Sequence, residues 1–346
     1  MRETVQLKAW GKVLSGWTQV EIVESLEALA STFSLSYSDR CLEADGLPRL
    51  TPGGACEVLI GDELVLAGYI DDSQASESAD ARTLEVSGLS RVGDLVDCSA
   101  RRKPPQWSDA TVVDIARDLV EPFGLDVVCT SGLDGPLKTF ALEPGETVHE
   151  AIARAARLRG MILQARPSGA LELAALGSRS APAALERGRN IVSASRGQSM
   201  RDRFSEVRVL AQAGGEDLFG AEAAQASAAA NDPSVKRYRP LDVLSDAGES
   251  SAGLAARAKW EVATRAGKAS RMTVTVQDWT TPAGRWRPNA LVRVKHDWLG
   301  VTGTLLIVTV RHTLDDGGRM TTLELCPPGA FEPEPVKPAK KEASWP

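Results

Sequence analysis

The sequence is poor in aromatic residues, histidine and cysteine, and it contains no long apolar run. Aromatic side chains make up 5% of the 346 positions, and the three histidines, His149, His296 and His312, stand far apart. No His-Glu-x-x-His and no Cys/His metal spacing occurs, so the common zinc patterns are excluded. Five cysteines (Cys41, Cys56, Cys98, Cys129 and Cys326) form no Cys-x-x-Cys pair and are odd in number. That reads as reduced, mostly buried thiols in a cytosolic product, not a disulfide framework. The opening MRETVQLKAW lacks the apolar centre of a signal peptide. No stretch approaches the roughly 18 apolar residues of a membrane span, so the expectation is a chain made and first kept in a cytoplasm. A basic excess is missing too: 40 Lys and Arg stand against 46 Asp and Glu, a formal net charge of −6. A protein held to nucleic acid by phosphate contacts needs the opposite balance. Gly-x-Ser-x-Gly and the P-loop are both absent, and no glycine pair opens a helix after a strand.

What is present is an ordinary globular composition, 43% hydrophobic and 25% charged, with length for roughly two to three domains. The most informative feature is a repeat. Pro52–Ile60, Leu64–Asp71 and Arg82–Gly88 read as turn-plus-strand, Gly-containing strand and closing strand. Pro288–Val294, Val301–Val308 and Met320–Cys326 read the same way near the other end. A duplicated β unit without a catalytic constellation points to assembly geometry.

Between the copies the periodicity changes. Thr18–Val23 and Phe33–Tyr37 alternate as strands with one buried face, and Ser25–Thr32 predicts a short helical turn. Trp107–Gly124 predicts a helix capped at Ser108, with Val112, Ile115, Ala116 and Leu119 on one stripe. Thr147–Gly160 has a capping-box spacing at Thr147 and Glu150, and Met161–Ala165 with Leu171–Leu173 predicts a hairpin. Asn190–Ser199 and Phe204–Ala211 return to strand. Gly214–Asn231 predicts a loop, and Ser251–Ala266 a helix with Leu254, Ala255, Ala258 and Val262 inward. Arg271–Trp279 alternates again. The domain expectation is a first β-barrel at 1–100, an α/β lobe at 101–178, and a second barrel at 179–330 with an insertion around 212–268. A disordered Pro- and charge-rich tail follows at 331–346.

Two features allow chemistry. Asp71-Asp72 and Asp315-Asp316 suit a paired-carboxylate hydrolase site, or more simply hairpin turns. Gly145-Glu146-Thr147 before its helix resembles the opening of a LysM module, which binds peptidoglycan, and equally suits an ordinary helix cap. Trp260, Trp279, Trp286 and Trp298 read as core and interface anchors.

Four phrases carry a broader resemblance: Gly88–Ala100 (GLSRVGDLVDCSA), Tyr238–Leu241 (YRPL), Arg257–Arg265 (RAKWEVATR) and Trp286–Val294 (WRPNALVRV). The chain resembles the baseplate hub (tail protein P) family of Mu-like phages over nearly its whole length. It is related through that family to contractile-tail hubs and the N-terminal hub part of VgrG. Gly88-Leu89-Ser90 departs slightly from the family's Gly-Arg-Ser. The resemblance implies a β-rich α+β fold of two similar small β-barrels (tube-type hub domains) with smaller α/β lobes, assembling as a ring-shaped trimer. It further implies a structural, non-enzymatic hub without cofactor or metal, in the virion tail baseplate and assembled in the bacterial host cytoplasm. The hub would join a six-fold tail tube to a three-fold membrane-piercing spike and line the DNA exit channel. Implied partners are its own copies, the tail tube or distal tail protein, a separate trimeric spike, the tape-measure protein and the baseplate wedge proteins. DNA would only pass through. Trp260, Arg265, Trp286 and Asn289 are the residues expected to serve barrel packing or subunit contacts. The competing expectation is a peptidoglycan-binding or cell-wall-degrading tail-tip protein.

Overall fold

The computed structural model describes residues 4–39, 50–78, 82–211, 227–245 and 251–335. These fall into two compact units, one from Met1–Ser195 with Thr273–Leu325 and one from Arg196–Met272 with Cys326–Pro346.

The first unit opens with seven strands: β1 Val5–Ala9, β2 Lys12–Leu14, β3 Gln19–Ser25, β4 Thr32–Asp39, β5 Ala55–Ile60, β6 Glu63–Glu77 and β7 Arg82–Ser90. Alternation decides which side chains turn inward. In β3 the even positions Val20, Ile22 and Glu24 are buried, and Phe33 and Leu35 on β4 meet them. Leu7, Ile22, Leu35, Val58, Leu66, Ile70 and Val86 form the core of this region together with the distant Trp279. Each fully buried aliphatic side chain there contributes about 1.5–3 kcal/mol. Residues 26–31 form no helix. Leu26 N–H donates to Val308 O and Ser31 N–H to Ser90 Oγ, so neighbouring strands take the backbone bonds at both ends of this bent connection. Asp71-Asp72 is not a turn either: it lies inside β6, where the pairing with β7 shifts by one residue between Ile70 and Asp72.

Next comes a lobe of α1 Asp94–Asp97, β8 Gln106–Thr111, α2 Val112–Val120, β9 Val127–Cys129, β10 Pro136–Ala141, α3 Val148–Arg157, β11 Ile162–Ala165 and β12 Leu171–Ala174. The cap of α2 is Thr111, whose side chain forms a capping box with Asp114; Ser108 lies instead in β8, opposite Thr139. The apolar stripe of α2 is as expected, with Ile115, Ala116 and Leu119 buried against Ile152 and Ala155 of α3. Thr147 and Glu150 cap α3 reciprocally; the helix ends at Arg157 with Leu158 as its C-cap, and Gly160, at φ 64°, closes the turn that follows.

The chain then runs through β13 Arg179–Ser180, β14 Leu185–Glu186 and β15 Ser193–Gln198 into the second unit. That unit holds β16 Glu206–Ala211, β17 Ser227–Asn231, β18 Pro240–Ser245 and α4 Ser251–Lys268. The loop expected over Gly214–Asn231 ends in strand β17, whose small Ala side chains sit opposite β16; residues 212–226 lie outside the described residues. The inward residues of α4 are Gly253, Leu254, Ala258, Glu261, Thr264 and Gly267, whereas Ala255 and Val262 are half-buried. Glu261 is tolerated there because Arg257 and Arg265, one turn away on either side, pair with it at 3.0 and 3.1 Å. Gly267 is pressed against Ala330, where an added Cβ would lie 2.6 Å from the Ala330 nitrogen. At the start of the expected tail, Trp260 Nε1 donates to Glu332 O at 2.6 Å and Arg257 pairs with Glu334. Residues 336–346 lie outside the described residues.

The chain returns through β19 Ser270–Gln277, β20 Thr280–Thr281, β21 Gly284–Arg285, β22 Ala290–His296, β23 Val301–Asp315 and β24 Gly318–Cys326. One sheet contains both copies of the repeat. Its path is β15-β19-β24-β23-β3-β4-β7-β6-β5-β1-β2, with β22 beside β23 and β13 and β14 beside β22. The first copy is therefore ordered β3-β4-β7-β6-β5 and the second β15-β19-β24-β23-β22. Corresponding strands match in length: 7 and 6, 8 and 8, 9 and 9, 15 and 15, and 6 and 7 residues. The short 26–31 connection of the first copy corresponds to the long stretch between β15 and β19 in the second, which is where the second unit is inserted.

Candidate functional site

The two copies meet where the distal half of β23 pairs antiparallel with β3, from Thr309 opposite Ser25 to Leu314 opposite Val20. Strand alternation places a polar residue at an inward position on each of three neighbouring strands: Glu24 on β3, His312 on β23 and Thr321 on β24. All three are buried, and Arg285 from β21 reaches between them with its side chain fully enclosed. Its guanidinium grips Glu24 through both terminal nitrogens, and its Nε lies 3.4 Å from Glu63 Oε1. Arg287 takes the same Glu63 oxygen at 2.8 Å.

The histidine tautomer follows from its neighbours. Thr321 Oγ1 donates to Asp278 O at 2.7 Å, so it must accept from His312 Nδ1, 3.0 Å away. His312 Nε2 then carries the lone pair and faces Arg285 Nη1 at 3.4 Å. Burial, and secondly the adjacent Arg285 charge, hold the His312 pKa well below its ordinary value, so the ring is neutral. For Arg285 burial alone disfavours the charge, but Glu24 and Glu63 outweigh it and raise the pKa. Outside this network, Ser25 and Thr309 share a hydroxyl hydrogen bond of 2.9 Å across the join, and Arg311 pairs with Glu21. Trp279 seals one end, donating its Nε1 to Thr313 O at 2.9 Å. The arrangement is a structural clasp: Glu24, Arg285, His312 and Thr321 satisfy one another's polar groups, with Asp278 O and Glu63 completing the set.

The four residues singled out from the sequence separate into two pairs. Trp260 and Arg265 lie on α4; Arg257 stacks 5.0 Å from the Trp260 ring, and Arg265 lies 5.5 Å from the Phe204 ring. Trp286 and Asn289 are interior residues of the first unit, 1% and 0% exposed. Asn289 has φ 63°, and its side chain accepts from Gly177 N–H at 2.6 Å and donates to Ala175 O and Ser178 Oγ. It ties the end of the lobe to the start of β22. Of the other tryptophans in this third, Trp279 is buried and Trp298 is 75% exposed at the β22–β23 turn.

The acidic candidates do not form a pair. Asp71 and Asp72 line a groove with Glu21, Asp97 and Arg311, whereas Asp315 caps the β23–β24 turn by accepting from Gly317 N–H at 2.8 Å. Partial burial, then Asp72, Asp94 and Asp97, push the Asp71 carboxyl above its usual pKa. In the lobe, Glu146 pairs with Arg154 at 2.9 Å and Thr147 with Glu150, so the Gly145–Thr147 turn spends its polar side chains on α3. Sequence reading missed the clasp. Its one local signal was polar Glu24, His312 and Thr321 at inward positions of alternating strands.

Comparison with known proteins decides the family. The Escherichia phage Mu baseplate hub protein gp44 is 32% identical over 343 residues, spanning 96% of this chain and 89% of its own length. The chain belongs to the Mu-type baseplate hub family. Four family descriptions match along it: Mu phage baseplate assembly protein GpP-like, N-terminal, at 4–90, and baseplate hub protein gp44-like, second domain, at 92–175. Tail protein NMB1110-like, third domain, follows at 203–260, and Mu phage baseplate assembly protein GpP, fourth domain, at 250–334. The crystal structure of the 43 kDa tail protein of prophage MuSo2 from Shewanella oneidensis superimposes with a TM-score of 0.86 at 32% identity, covering 95% of this chain and 99% of that one. The fold alone is shared with the E. coli c3393 protein, a type VI secretion component similar to T4 tail proteins gp27 and gp5. There the TM-score is 0.59 at 13% identity, over 96% of this chain and 79% of that one. The chain is thus a β-rich baseplate hub protein of a phage tail, related in fold to VgrG-like proteins.

Proposed function

We propose that this hub works as a homotrimeric symmetry adaptor, joining a six-fold tail tube to a three-fold spike and lining the channel through which DNA leaves. The observation that carries this is the repeated strand order in one sheet. Three copies of a chain with two like repeats present six like surfaces on one side while keeping three-fold symmetry elsewhere. The repeats correspond to hub barrels at about residues 1–100 and 179–330, with the lobe at 101–178 and the 212–268 insertion available for neighbours. The internal clasp supports the reading, since two like elements must be held rigidly to act as adjacent positions of one ring. Partners on this reading are the tail tube or distal tail protein, a separate trimeric spike, the tape-measure protein and the wedge proteins. Assembly takes place in the host cytoplasm. Trp260 and Arg265, on the inserted unit, suit subunit or partner contacts, whereas Trp286 and Asn289 suit packing within the subunit. The absolute mass of purified protein by light scattering, together with electron microscopy of tails, tests this. A three-fold ring is expected; a strict monomer in solution that is also not three-fold in tails would overturn it.

A further inference from the structure

The first copy of the repeat is extended by a hairpin, β1 and β2, whereas β22 of the second copy is flanked by the parallel strands β13 and β14. The hairpin pairs from Leu7 opposite Leu14 to Ala9 opposite Lys12, so Trp10 and Gly11 alone make its turn. Both have positive φ, 48° and 70°, the signature of a type I′ turn. That geometry favours Asn-Gly, and a non-glycine residue held in the left-handed region costs about 1–3 kcal/mol. Trp10 occupies the position nonetheless, with 46% of its surface exposed. Its ring lies across the backbone of Gly54, where an added Cβ would be 2.0 Å from the indole. Gly53 N–H donates to Ile70 O and Ile70 N–H to Gly54 O, which fixes the turn beneath the ring. In the second copy Asn289 N–H makes the corresponding bond to Ile307 O, and Ala290, with its Cβ, stands where the first copy has Gly54. The glycine of the first copy makes room for a propped, half-exposed indole.

Trp10 borders a groove of about 670 Å³ that it shares with Tyr69, Lys8, Lys12 and Arg91, against the single carboxylate of Glu57. Lys8 and Lys12 are exposed, and Arg91 is steadied by a bond to Gly124 O at 3.2 Å. Val13, opposite Lys8, adds apolar surface and is 57% exposed. The lining is thus cationic and aromatic in a chain whose net charge is −6.

We propose that this groove binds a short acidic peptide segment of a partner protein, with Trp10 as the platform for a proline or aromatic side chain and Lys8 and Lys12 as the carboxylate contacts. Backbone strain persists where the strained residue is needed in that place, and a tryptophan ringed by polar groups is the composition of an interface anchor. Aromatic-lined grooves of this volume accept extended segments, whose shape is preformed. Glu57 among the cations disfavours a uniform polyanion such as nucleic acid and suits a chain with separated charges.

The test selects random octapeptides displayed on phage against the full-length protein, with counter-selection on Trp10→Ala, and measures the synthetic winners by fluorescence anisotropy. We expect the enriched peptides to combine acidic residues with an aromatic residue or proline. Their binding should weaken about tenfold or more in Trp10→Ala and in Lys8→Glu with Lys12→Glu, and stay unchanged in Trp298→Ala. Trp10→Asn separates the ring from the fold: asparagine suits the type I′ turn, so binding is lost while β1 and β5 amides exchange within about threefold of wild type. Absence of enrichment over the counter-selection overturns the proposal, as does enrichment of peptides without acidic residues. Exchange beyond that range in Trp10→Asn assigns the ring to folding and overturns it too. Oligothymidine bound by wild type and released by the lysine double variant, with no peptide enriched, overturns it in favour of nucleic acid.

Discussion

Removing Arg285 tests whether the clasp holds the two repeats together. Its side chain is 0% exposed and that of Glu24 is 10%, so Arg285→Met strands a carboxylate in the interior with no other ion-pair partner among the described residues. Breaking a buried pair from one side costs about 3–5 kcal/mol, because the orphaned charge keeps its desolvation penalty. Glu63 is less affected, since it is more exposed and keeps Arg287 at 2.8 Å. Replacing both partners, Glu24→Leu with Arg285→Met, removes the charge and its penalty together, and such swaps are often neutral or stabilising. The double variant should therefore recover most of the loss, a coupling of at least about 2 kcal/mol in a double-mutant cycle. Global unfolding of a chain with two units is a poor reporter, whereas amide hydrogen exchange reads local opening directly. Amides in β3 and the distal half of β23 should exchange on the order of 10²–10³ times faster in Arg285→Met, with those of α2 and α3 little changed. Strict additivity of the single costs, or a loss below about 1 kcal/mol in the single variant, would refute the view that this pair carries the join.

The neutral, depressed His312 makes stability pH-dependent in a defined direction. The unfolded chain takes up a proton below about pH 6.5 that the folded chain refuses, so stability falls as pH drops below that value by up to about 1.4 kcal/mol per unit. Amide exchange in β23 and β24 between about pH 7.5 and 5.5, corrected for the intrinsic pH dependence of exchange, checks the slope, which should flatten in His312→Gln. Cys56 is buried, with burial foremost and then Asp71 and Glu57 pushing its thiol up to about 12. It should stay unmodified by iodoacetamide at pH 8 while exposed Cys98 is alkylated, as peptide mass mapping will show. Asn289→Ala leaves Gly177 N–H and Ala175 O without their buried partners and should cost about 2–4 kcal/mol, read as faster exchange at the start of β22.

The local elements were largely legible because their causes are local. Val20, Ile22, Phe33 and Leu35 announce strands by a period of two, and Thr147 with Glu150 announces the start of α3 by hydrogen bonds three residues apart. The errors fell where a distant partner outweighed local preference. Residues 26–31 have helical composition, but bonds to Val308 and Ser90 anchor both ends and leave a bent connection between two strands. Ser108 is a good cap by type, yet its backbone is committed to β10 opposite Thr139. Val262 fits a helical stripe, but two arginines one turn away on either side make burial of Glu261 the better solution.

The sequence by itself determined that there is a β unit used twice, the capped helices between its copies, and the absence of the motif spacings that common enzymes need. These depend on side-chain period and on residues a few positions apart. Only the tertiary structure decided that both copies lie in one sheet with the same strand order and that β3 completes the edge of β23. It alone decided that Glu24, Arg285 and His312, up to 288 positions apart, meet at that edge. Strand neighbours in a sheet are chosen by register and burial across the whole chain, and no local window of sequence records that choice.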